Sequence, residues 1–343
     1  MSQKTILTLP GDGPGASFVR RAAELMGLLV PDLEILEAQY GRTSWEYTNE
    51  VLPPETEDAI ADVDCVLCGP CDVSSIGKRD PVRTIITYNN LTVRAVEYIG
   101  LPRLCPGGLD ACVVSPVHSV TRQFKEMDSL DGVDSTYFTV ADDAGDFFRH
   151  CVDLARRRGR TRIRHVATSE IFPHASKMSR SVFKEVMRDY DVEYDDVNLT
   201  TAMEILTTKP VDAGMFVGGP VACLPIRGAA CGISGGEGLM ADTFIGNDLA
   251  LYMPCIENPE AHRNNPTATI LAASNLLLDL GYRDECRILR DAVRRAYMDR
   301  TSIKKSNNAF DRQPDELFSS VIGHVNMEDE PEDYFEVLPE DES

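Results

Sequence analysis

Three cysteines, Cys65, Cys68 and Cys71, recur at every third position, a spacing at which thiolates hold zinc or an iron–sulfur cluster in some proteins. The first two belong to the apolar run of residues 63–68, in which a cysteine behaves as a small hydrophobic side chain. We therefore predict that these thiols are core residues and that the chain has no metal site. A metal held by the three thiolates is the alternative interpretation.

A glycine-rich loop follows the first apolar run, at residues 6–9, and precedes a helix predicted from about Ser17 to Leu29. Gly11 and Gly13 in this loop are able to adopt a positive φ and to let the backbone approach a ligand closely. The N–H groups at the start of the next helix attract anions. Because most α/β units begin in the same way, a structural turn is the alternative to a ligand contact.

Arg227 and His174 are candidates for binding and for proton transfer by virtue of their side chains. The Arg227 guanidinium suits bidentate binding of a carboxylate or, equally, an internal salt bridge. His174 is a candidate base, and a hydrogen-bonded structural histidine is the alternative. Several arginines also gather between residues 156 and 164. We interpret them as the solvated end of a helix, with a surface for an anionic partner as the alternative.

The composition limits the class of protein. A chain of 343 residues with 43% hydrophobic residues can bury a large core, and we expect two lobes. The net charge of −21 disfavours nucleic acids and anionic membranes as partners, because both select basic patches. No run is apolar and long enough to span a bilayer, and residues 1–4 lack the features of a signal peptide. Ten cysteines without such a signal favour reduced thiols and a cytoplasmic location.

Apolar runs alternate with helical patterns, which predicts an α/β fold with a largely parallel sheet and helices on both faces. The proline- and glycine-rich stretch at residues 102–120 is predicted to be irregular and to carry the crossover between the lobes. Nine acidic residues between 328 and 343 predict a disordered tail. The predicted strands are residues 33–39, 64–70, 137–140, 164–168 and 211–217, and the predicted helices start at Pro54 or cover residues 146–158, 179–188, 266–280 and 284–298.

Several segments, in the same order, resemble the isocitrate/isopropylmalate dehydrogenase family. Residues 9–15 resemble its opening leucine-proline-glycine-aspartate-glycine motif, and residues 52–69 resemble its next helix and strand. Residues 235–254 resemble the family's glycine-rich stretch before the cofactor loop, and residues 264–273 resemble its asparagine-proline helix.

The resemblance implies an isopropylmalate-dehydrogenase-like, two-lobed α/β/α architecture with an interlobe cleft. It assigns residues 1–98 and 240–325 to a large, cofactor-type lobe, 99–239 to a small lobe for substrate and dimerisation, and 326–343 to the acidic tail. Because dimers of the family build the cleft from both subunits, it also implies a homodimer or a higher homo-oligomer.

Enzymes of this family oxidise 2-hydroxy-3-carboxy acids with NAD or NADP and decarboxylate the product. They use a divalent metal held by aspartates, arginines on the substrate carboxylates, and a tyrosine and a lysine for proton transfer. The resemblance places Phe172 at the lysine and Phe147 at the tyrosine, while Cys223 and Arg227 stand among the metal aspartates. Phenylalanine transfers no proton and arginine ligates no cation. We therefore predict that the metal- and NAD-dependent oxidative decarboxylation is lost.

The same alignment places Cys223 in the interlobe cleft. With His174 and Arg227 nearby, Cys223 becomes a candidate nucleophile of lowered pKa, and an inert thiol is the alternative. Lys177 lies close to the position of the family's lysine and completes the set of candidate catalytic residues.

The candidate substrate-binding residues are arginines. Arg83 matches one substrate arginine of the family, Thr92 stands at the next, and Arg94 lies two residues further on. Together with Arg227, Arg83 and Arg94 predict a site for a small carboxylate.

The cofactor loop of the family is shortened here to residues 255–260. Gly11, Gly13 and Asn265 are therefore interpreted as vestigial cofactor contacts, and no cofactor is expected. Binding of NAD(P) with Mg²⁺ is the alternative that the family implies.

Three functions remain open. The first is a repurposed protein that binds or transforms a small carboxylate in the cleft with replaced residues. The second is a non-catalytic subunit that regulates or supports a paralogous dehydrogenase. The third is an NAD(P)-dependent 2-hydroxy acid dehydrogenase with an atypical site.

Overall fold

The computed structural model describes residues 3–105, 107–117, 124–255, 265–299 and 314–326. These residues form one large sheet, a separate two-stranded hairpin, and helices that cover the large sheet. The strands are β1 (Thr5–Leu9), β2 (Glu34–Glu37), β3 (Cys65–Cys68), β4 (Val93–Ile99), β5 (Asp110–Pro116), β6 (Phe124–Ser129), β7 (Gly132–Tyr137), β8 (Arg162–Ala167), β9 (Glu193–Asn198), β10 (Gly214–Gly218), β11 (Ala241–Ile245) and β12 (Ala250–Pro254). The helices are α1 (Pro14–Leu29), α2 (Gly41–Thr48), α3 (Pro54–Ala61), α4 (Pro81–Tyr88), α5 (Ala141–Arg157), α6 (Pro173–Met187), α7 (Leu199–Thr208), α8 (Pro220–Ser234), α9 (Thr267–Asp279), α10 (Arg283–Met298) and α11 (Pro314–Val325).

The large sheet has the strand order β2-β1-β3-β12-β11-β4-β5-β10-β8-β9. The first four strands are mutually parallel, and so are the last four. Three successive antiparallel pairings, β12–β11, β11–β4 and β4–β5, join these two blocks. An odd number of reversals makes the blocks run in opposite directions, so the carboxyl ends of their strands lie at opposite edges of the sheet. The predicted α/β fold with a largely parallel sheet is confirmed.

Helix α9 lies at the centre of one core because its sequence is apolar on nearly every side. All of its residues from Thr267 to Leu277 are buried. Helix α1 packs in the same core with one face, on which Phe18, Ala22 and Leu25 recur at helical spacing. The two helices thus fix the position of the glycine-rich loop that leads into α1.

The structure corrects three of the predicted boundaries. Strand β5 lies inside the stretch at residues 102–120 that was predicted to be irregular, since the prolines and glycines only flank its buried core. The hairpin strand β7 ends at Tyr137, where a strand over 137–140 was predicted. Helix α6 begins at Pro173 rather than at residue 179, because a proline suits the first helical position.

Buried ion pairs join elements from both predicted lobes. The Arg158 guanidinium donates two hydrogen bonds to Asp279, over 3.0 and 2.7 Å, and a third to Glu97 over 2.9 Å. Arg160 contacts the same Glu97 carboxylate and lies 2.6 Å from Asp110. The expectation that this arginine cluster is a solvated helix end is therefore wrong for Arg158 and Arg160, whose charges are used inside the protein.

The division into lobes stays a prediction, and the acidic tail lies outside the described residues. Among the helices that the structure describes, none combines the length and the apolar character needed to cross a membrane.

Candidate functional site

The cysteines of the regularly spaced run do not converge. Side chains alternate between the two faces of a strand, so Cys65 and Cys68 of β3 pack in different hydrophobic clusters on opposite faces of the sheet. Burial raises the pKa of both thiols, and that of Cys68 reaches about 12. These two thiolates therefore cannot share an ion, and the interpretation of Cys65 and Cys68 as core residues agrees with their positions.

A large cavity, of about 750 Å³, lies beside the loops that follow β1 and β3. We call it the loop cleft. Helix α1 contributes Gly13 and Gly15 from its amino-terminal end, and α2 contributes Arg42. The segment after β3 contributes Asp72 and Asp80. The loop cleft thus combines a helix amino terminus and one guanidinium with an acidic wall.

The Asp12 carboxylate connects the segments that line the loop cleft through hydrogen bonds. Its carboxylate accepts hydrogen bonds from the backbone N–H groups of Arg42, Thr43 and Asp72, over 2.9, 2.8 and 2.9 Å. The Thr43 hydroxyl donates a fourth, over 2.9 Å. Asp12 therefore caps α2 from a distant segment, in place of the residue Tyr40 that directly precedes the helix and makes no side-chain cap. This role is structural, because the hydrogen bonds of Asp12 connect the loop after β1 and the loop after β3 to α2.

Gly11 and Gly13 have different surroundings although both have a positive φ, of 79° and 63°. A Cβ atom on Gly11 would lie 2.2 Å from the carbonyl oxygen of Pro70, so this glycine permits close contact between the two loops. A Cβ atom on Gly13 would meet nothing within 4 Å, because Gly13 faces the loop cleft. The structural interpretation thus applies to Gly11, while Gly13 lies where a ligand contact is open.

Arg94 is engaged inside the protein. Its Nε and Nη2 donate to the two oxygens of Asp242 over 3.0 and 2.8 Å, and the Asp242 side chain is completely buried. Arg94 is thus engaged by Asp242, and its role as a substrate ligand stays a prediction. Arg83 lies on α4 with 71% of its side chain exposed, at 4.0 Å from Asp80.

Cys223 and Arg227 lie one turn apart on α8, and both are buried. The Cys223 thiol donates to the carbonyl oxygens of Val114 and Gly218 over 3.3 and 3.4 Å. Burial raises the pKa of Cys223 to about 12, although the charge of Arg227 lowers it in part. The expectation of a reactive thiol that faces the cleft is therefore corrected in favour of an inert core thiol. Arg227 donates to Ser115 over 3.4 Å.

The remaining predicted site residues lie on α6 and at the start of α9. His174 and Lys177 are exposed on the first two turns of α6. Asn265 is buried, and its Oδ1 accepts from the Thr267 N–H and hydroxyl over 3.0 and 2.6 Å at the start of α9. Asn265 thus stabilises a helix start, and residues 256–260 of the predicted cofactor loop lie outside the described residues.

The residues present do not fit the divalent metal that the resemblance implies. The run from Gly218 to Arg227 contains no carboxylate, and Arg227 offers donors only. In the described part of the chain no three histidine, cysteine or acidic side chains are placed to hold one ion. We therefore derive no reaction step through a metal.

A second constellation, which no sequence motif indicated, consists of His165, Asp196 and Ser179. His165 of β8 is buried, and its Nδ1 lies 2.9 Å from Oδ1 of Asp196 on β9. Its Nε2 lies 2.9 Å from the hydroxyl of Ser179 on α6. The sequence contains one signal for this constellation, which is the histidine within the buried strand 162–167. A buried imidazole needs polar partners. The identity of those partners depends on strand register and helix packing.

His165 and Ser179 border a small cavity of about 30 Å³, which we call the triad cavity. Its wall includes Thr139 from the loop before α5, Ser176 and Ser179 from α6, and Val221 from the first turn of α8. The cavity is large enough to hold at least one water molecule.

No protein-family model matches the chain. The 3-isopropylmalate dehydrogenase of Archaeoglobus fulgidus is 26% identical over 297 residues, which cover 84% of this chain and 90% of that protein. The structure resembles that of isocitrate dehydrogenase from Methylococcus capsulatus, with a TM-score of 0.77 and 21% identity over 94% of this chain and all of that one. It also resembles a beta-decarboxylating dehydrogenase from Thermococcus kodakarensis, with a TM-score of 0.79 and 19% identity over 94% and 96% of the two chains.

The sequence similarity extends over most of both chains, and the solved structures share the fold over almost their whole length. Together with the motifs in their common order, these matches show that the chain has the fold of isocitrate and isopropylmalate dehydrogenases and is similar to them in sequence.

Proposed function

We propose that this protein binds a small carboxylate in the loop cleft and does not carry out the metal- and NAD(P)-dependent oxidative decarboxylation of its family. The observation that carries the proposal is the state of Arg94 and Cys223. Arg94 is paired with a buried carboxylate, and Cys223 is a buried thiol whose pKa is raised. The resemblance expects metal aspartates in the run where Cys223 stands, and a buried thiol supplies no carboxylate for a metal.

The loop cleft supports the binding half of the proposal. It lies at the carboxyl ends of the neighbouring parallel strands β1 and β3, where open α/β sheets bind ligands. Its volume is that of an ordinary small-molecule site. The amino terminus of α1 and the Arg42 guanidinium attract a carboxylate, while Asp72 and Asp80 select against a ligand with several negative charges. A monocarboxylate that also carries neutral or cationic polar groups fits this balance.

Two assays test the proposal. The first incubates the protein with Mg²⁺, NAD⁺ or NADP⁺ and isocitrate, isopropylmalate or homoisocitrate, and we expect no reduction of the nicotinamide. Turnover with any of these pairs would show instead a dehydrogenase with an atypical site. The second measures binding of mono-, di- and tricarboxylates by calorimetry, and we expect saturable binding of a monocarboxylate.

A matched pair of variants assigns that binding to the loop cleft. Arg42→Gln removes the guanidinium from the cleft, and we expect it to weaken carboxylate binding about tenfold. Arg149→Gln removes a guanidinium of similar exposure from α5 and should leave binding unchanged. Each of the two arginines pairs with an acidic residue of its own helix, Arg149 with Asp146 and Arg42 with Glu46. Equal effects of the two changes would argue against the loop cleft as the binding site.

A second candidate function, that of a subunit in an oligomer, is favoured by the β6–β7 hairpin. Among the described residues its strands pair only with each other, and it exposes Leu130, Val133 and Met127 by 105%, 60% and 49%. An isolated hairpin is marginally stable in water, and its apolar side chains favour a contact with another chain.

We propose that the hairpin contacts a second copy of this chain in a homodimer, with a paralogous dehydrogenase subunit as the alternative partner. Light scattering after size exclusion should give the mass of a dimer, and Val133→Asp should give that of a monomer. Co-purification with a family dehydrogenase, together with a monomeric mass for the isolated protein, would favour the paralogous partner.

A further inference from the structure

The sheet register places His165 and Asp196 side by side. Strands β8 and β9 are parallel, and His165 is the direct partner of Asp196 in their register. Paired residues of neighbouring strands point to the same face of a sheet. The imidazole and the carboxylate therefore meet by construction, with Nδ1 and Oδ1 2.9 Å apart.

Helix α6 packs on that face and supplies the third member. Its Phe183 ring stacks on the His165 ring with centroids 5.1 Å apart, and Phe148 of α5 meets the imidazole edge-on at 5.5 Å. One turn before Phe183, the same helix places the Ser179 hydroxyl 2.9 Å from Nε2. The imidazole is thus held by two aromatic rings and two hydrogen bonds.

The carboxylate remains charged in this setting. Burial raises the pKa of Asp196, but the hydrogen bond and charge of His165 and the charge of Arg180 lower it by more, so that the net shift is downward. An ionised carboxylate on Nδ1 orients the ring so that Nε2 is able to accept a proton from a hydroxyl.

The triad cavity opens onto Ser179 and His165. Val221 lines it from the second position of α8, where a backbone N–H group has no acceptor within the helix. The Thr139 hydroxyl is buried without a hydrogen-bond partner at the same cavity. A nucleophile, a base, an orienting acid and unused donors therefore surround one small space.

We propose that Ser179, His165 and Asp196 form a serine-nucleophile site that transfers or hydrolyses short acyl esters. In the first step the Ser179 oxygen bonds to the acyl carbon, the bond from that carbon to the alcohol oxygen breaks, and the hydroxyl proton passes through His165 Nε2 to the departing alcohol. In the second step a water oxygen bonds to the acyl carbon, the ester bond to Ser179 breaks, and one water proton returns through His165 to Ser179. The products are the alcohol and the carboxylic acid, without any metal or redox cofactor.

The size of the triad cavity defines the class of substrate. About 30 Å³ leaves room for an acetyl or formyl group but not for a long acyl chain. The alcohol part of the ester must lie outside the cavity, towards the surface of α6.

Two probes of matching size test the proposal on the whole protein. Methanesulfonyl fluoride should sulfonylate Ser179, as the oxygen bonds to sulfur, fluoride leaves and His165 takes the proton, and peptide mass spectrometry locates the adduct. p-Nitrophenyl acetate should give a burst of p-nitrophenol close to one equivalent. A folded wild-type protein with neither an adduct on Ser179 nor a burst would overturn the proposal.

Three variants separate a catalytic site from a structural network. Ser179→Ala should abolish both signals, and His165→Gln should slow acylation at least about 100-fold. Ser181→Ala changes an exposed serine of the same helix that does not line the cavity, and it should retain both signals. If His165→Gln does not fold, Asp196→Asn tests the triad instead. We expect this variant to slow acylation of Ser179 at least about tenfold. Sulfonylation of Ser179 at an unchanged rate in the folded His165 or Asp196 variant would refute a triad.

Discussion

Arg94 and Asp242 form a two-point ion pair between the central strands β4 and β11, with 3.0 and 2.8 Å between the bonded atoms. Asp242 is completely buried, and this guanidinium on the neighbouring strand compensates its charge. The pair stands where two antiparallel strands join the two parallel blocks of the sheet. Arg94 thus stabilises the sheet by compensating a buried carboxylate.

Removal of one member of this pair should destabilise the fold strongly. We expect Arg94→Leu to lower the free energy of unfolding by about 3–5 kcal/mol, because a buried carboxylate then lacks its partner. The double change Arg94→Leu with Asp242→Leu should recover most of that loss. Urea denaturation of the single and double variants measures both values. A single variant as stable as wild type would mean that Arg94 is dispensable for folding and open to a ligand.

Stability should also fall in acid because of Glu97. Burial raises the pKa of this carboxyl, but Arg160 and Arg158 lower it by more, so the folded value lies well below the ordinary 4.5. The unfolded chain then binds a proton below about pH 4.5 while the folded protein does not. Glu97 therefore contributes stability above that pH, and the contribution is lost as the pH falls towards the folded pKa.

The slope of the unfolding free energy against pH measures this effect. One proton corresponds to about 1.4 kcal/mol per pH unit. Between pH 4.5 and 3 the slope of Glu97→Gln should be smaller than that of wild type by up to this amount. Identical slopes would show that Glu97 titrates alike in the folded and unfolded states.

Two glycines of the first loop provide a matched comparison. Gly11→Ala places a Cβ atom 2.2 Å from the Pro70 carbonyl oxygen and should cost about 3 kcal/mol or more, whereas Gly13→Ala meets only the strain of its φ and should cost about 1 kcal/mol. Thermal denaturation measures the difference in stability. Equal losses would contradict the close approach of the two loops. For carboxylate binding we expect the opposite order. Gly13→Ala should weaken binding more than Gly11→Ala, because of the two glycines Gly13 faces the loop cleft.

Cys223 should resist alkylation in the native protein. Its thiol is buried and its pKa is raised to about 12, so the thiolate is scarce and shielded at pH 8. Peptide mapping after treatment with iodoacetamide should find Cys223 unmodified in native protein and modified in denaturant. Rapid native modification would restore the interpretation of Cys223 as a nucleophile.

The sequence was sufficient to predict those features that depend on residues close together in the chain. The turn at Gly11 and the apolar setting of Cys65 and Cys68 follow from residues that are neighbours in the chain. The motifs in their order were also sufficient to indicate the resemblance to the dehydrogenases and hence an α/β fold with a largely parallel sheet.

Contacts between distant segments could not be obtained in this way. The engagement of Arg94 with Asp242 spans 148 positions and depends on the register of β4 with β11. Alignment indicated the place of Cys223 in the chain, but not that the α8 packing would bury its thiol. His165 finds Asp196 through strand pairing and Ser179 through a helix crossing, and neither relation leaves a pattern in sequence spacing.

The opposite directions of the two parallel blocks have a practical consequence. The loop cleft follows β1 and β3 of one block, whereas His165 and Asp196 approach the carboxyl ends of β8 and β9 in the other. The two openings therefore lie on opposite sides of the molecule and share no wall. A carboxylate that saturates the loop cleft should leave the sulfonylation rate of Ser179 unchanged, so that each activity can be titrated in the presence of the other.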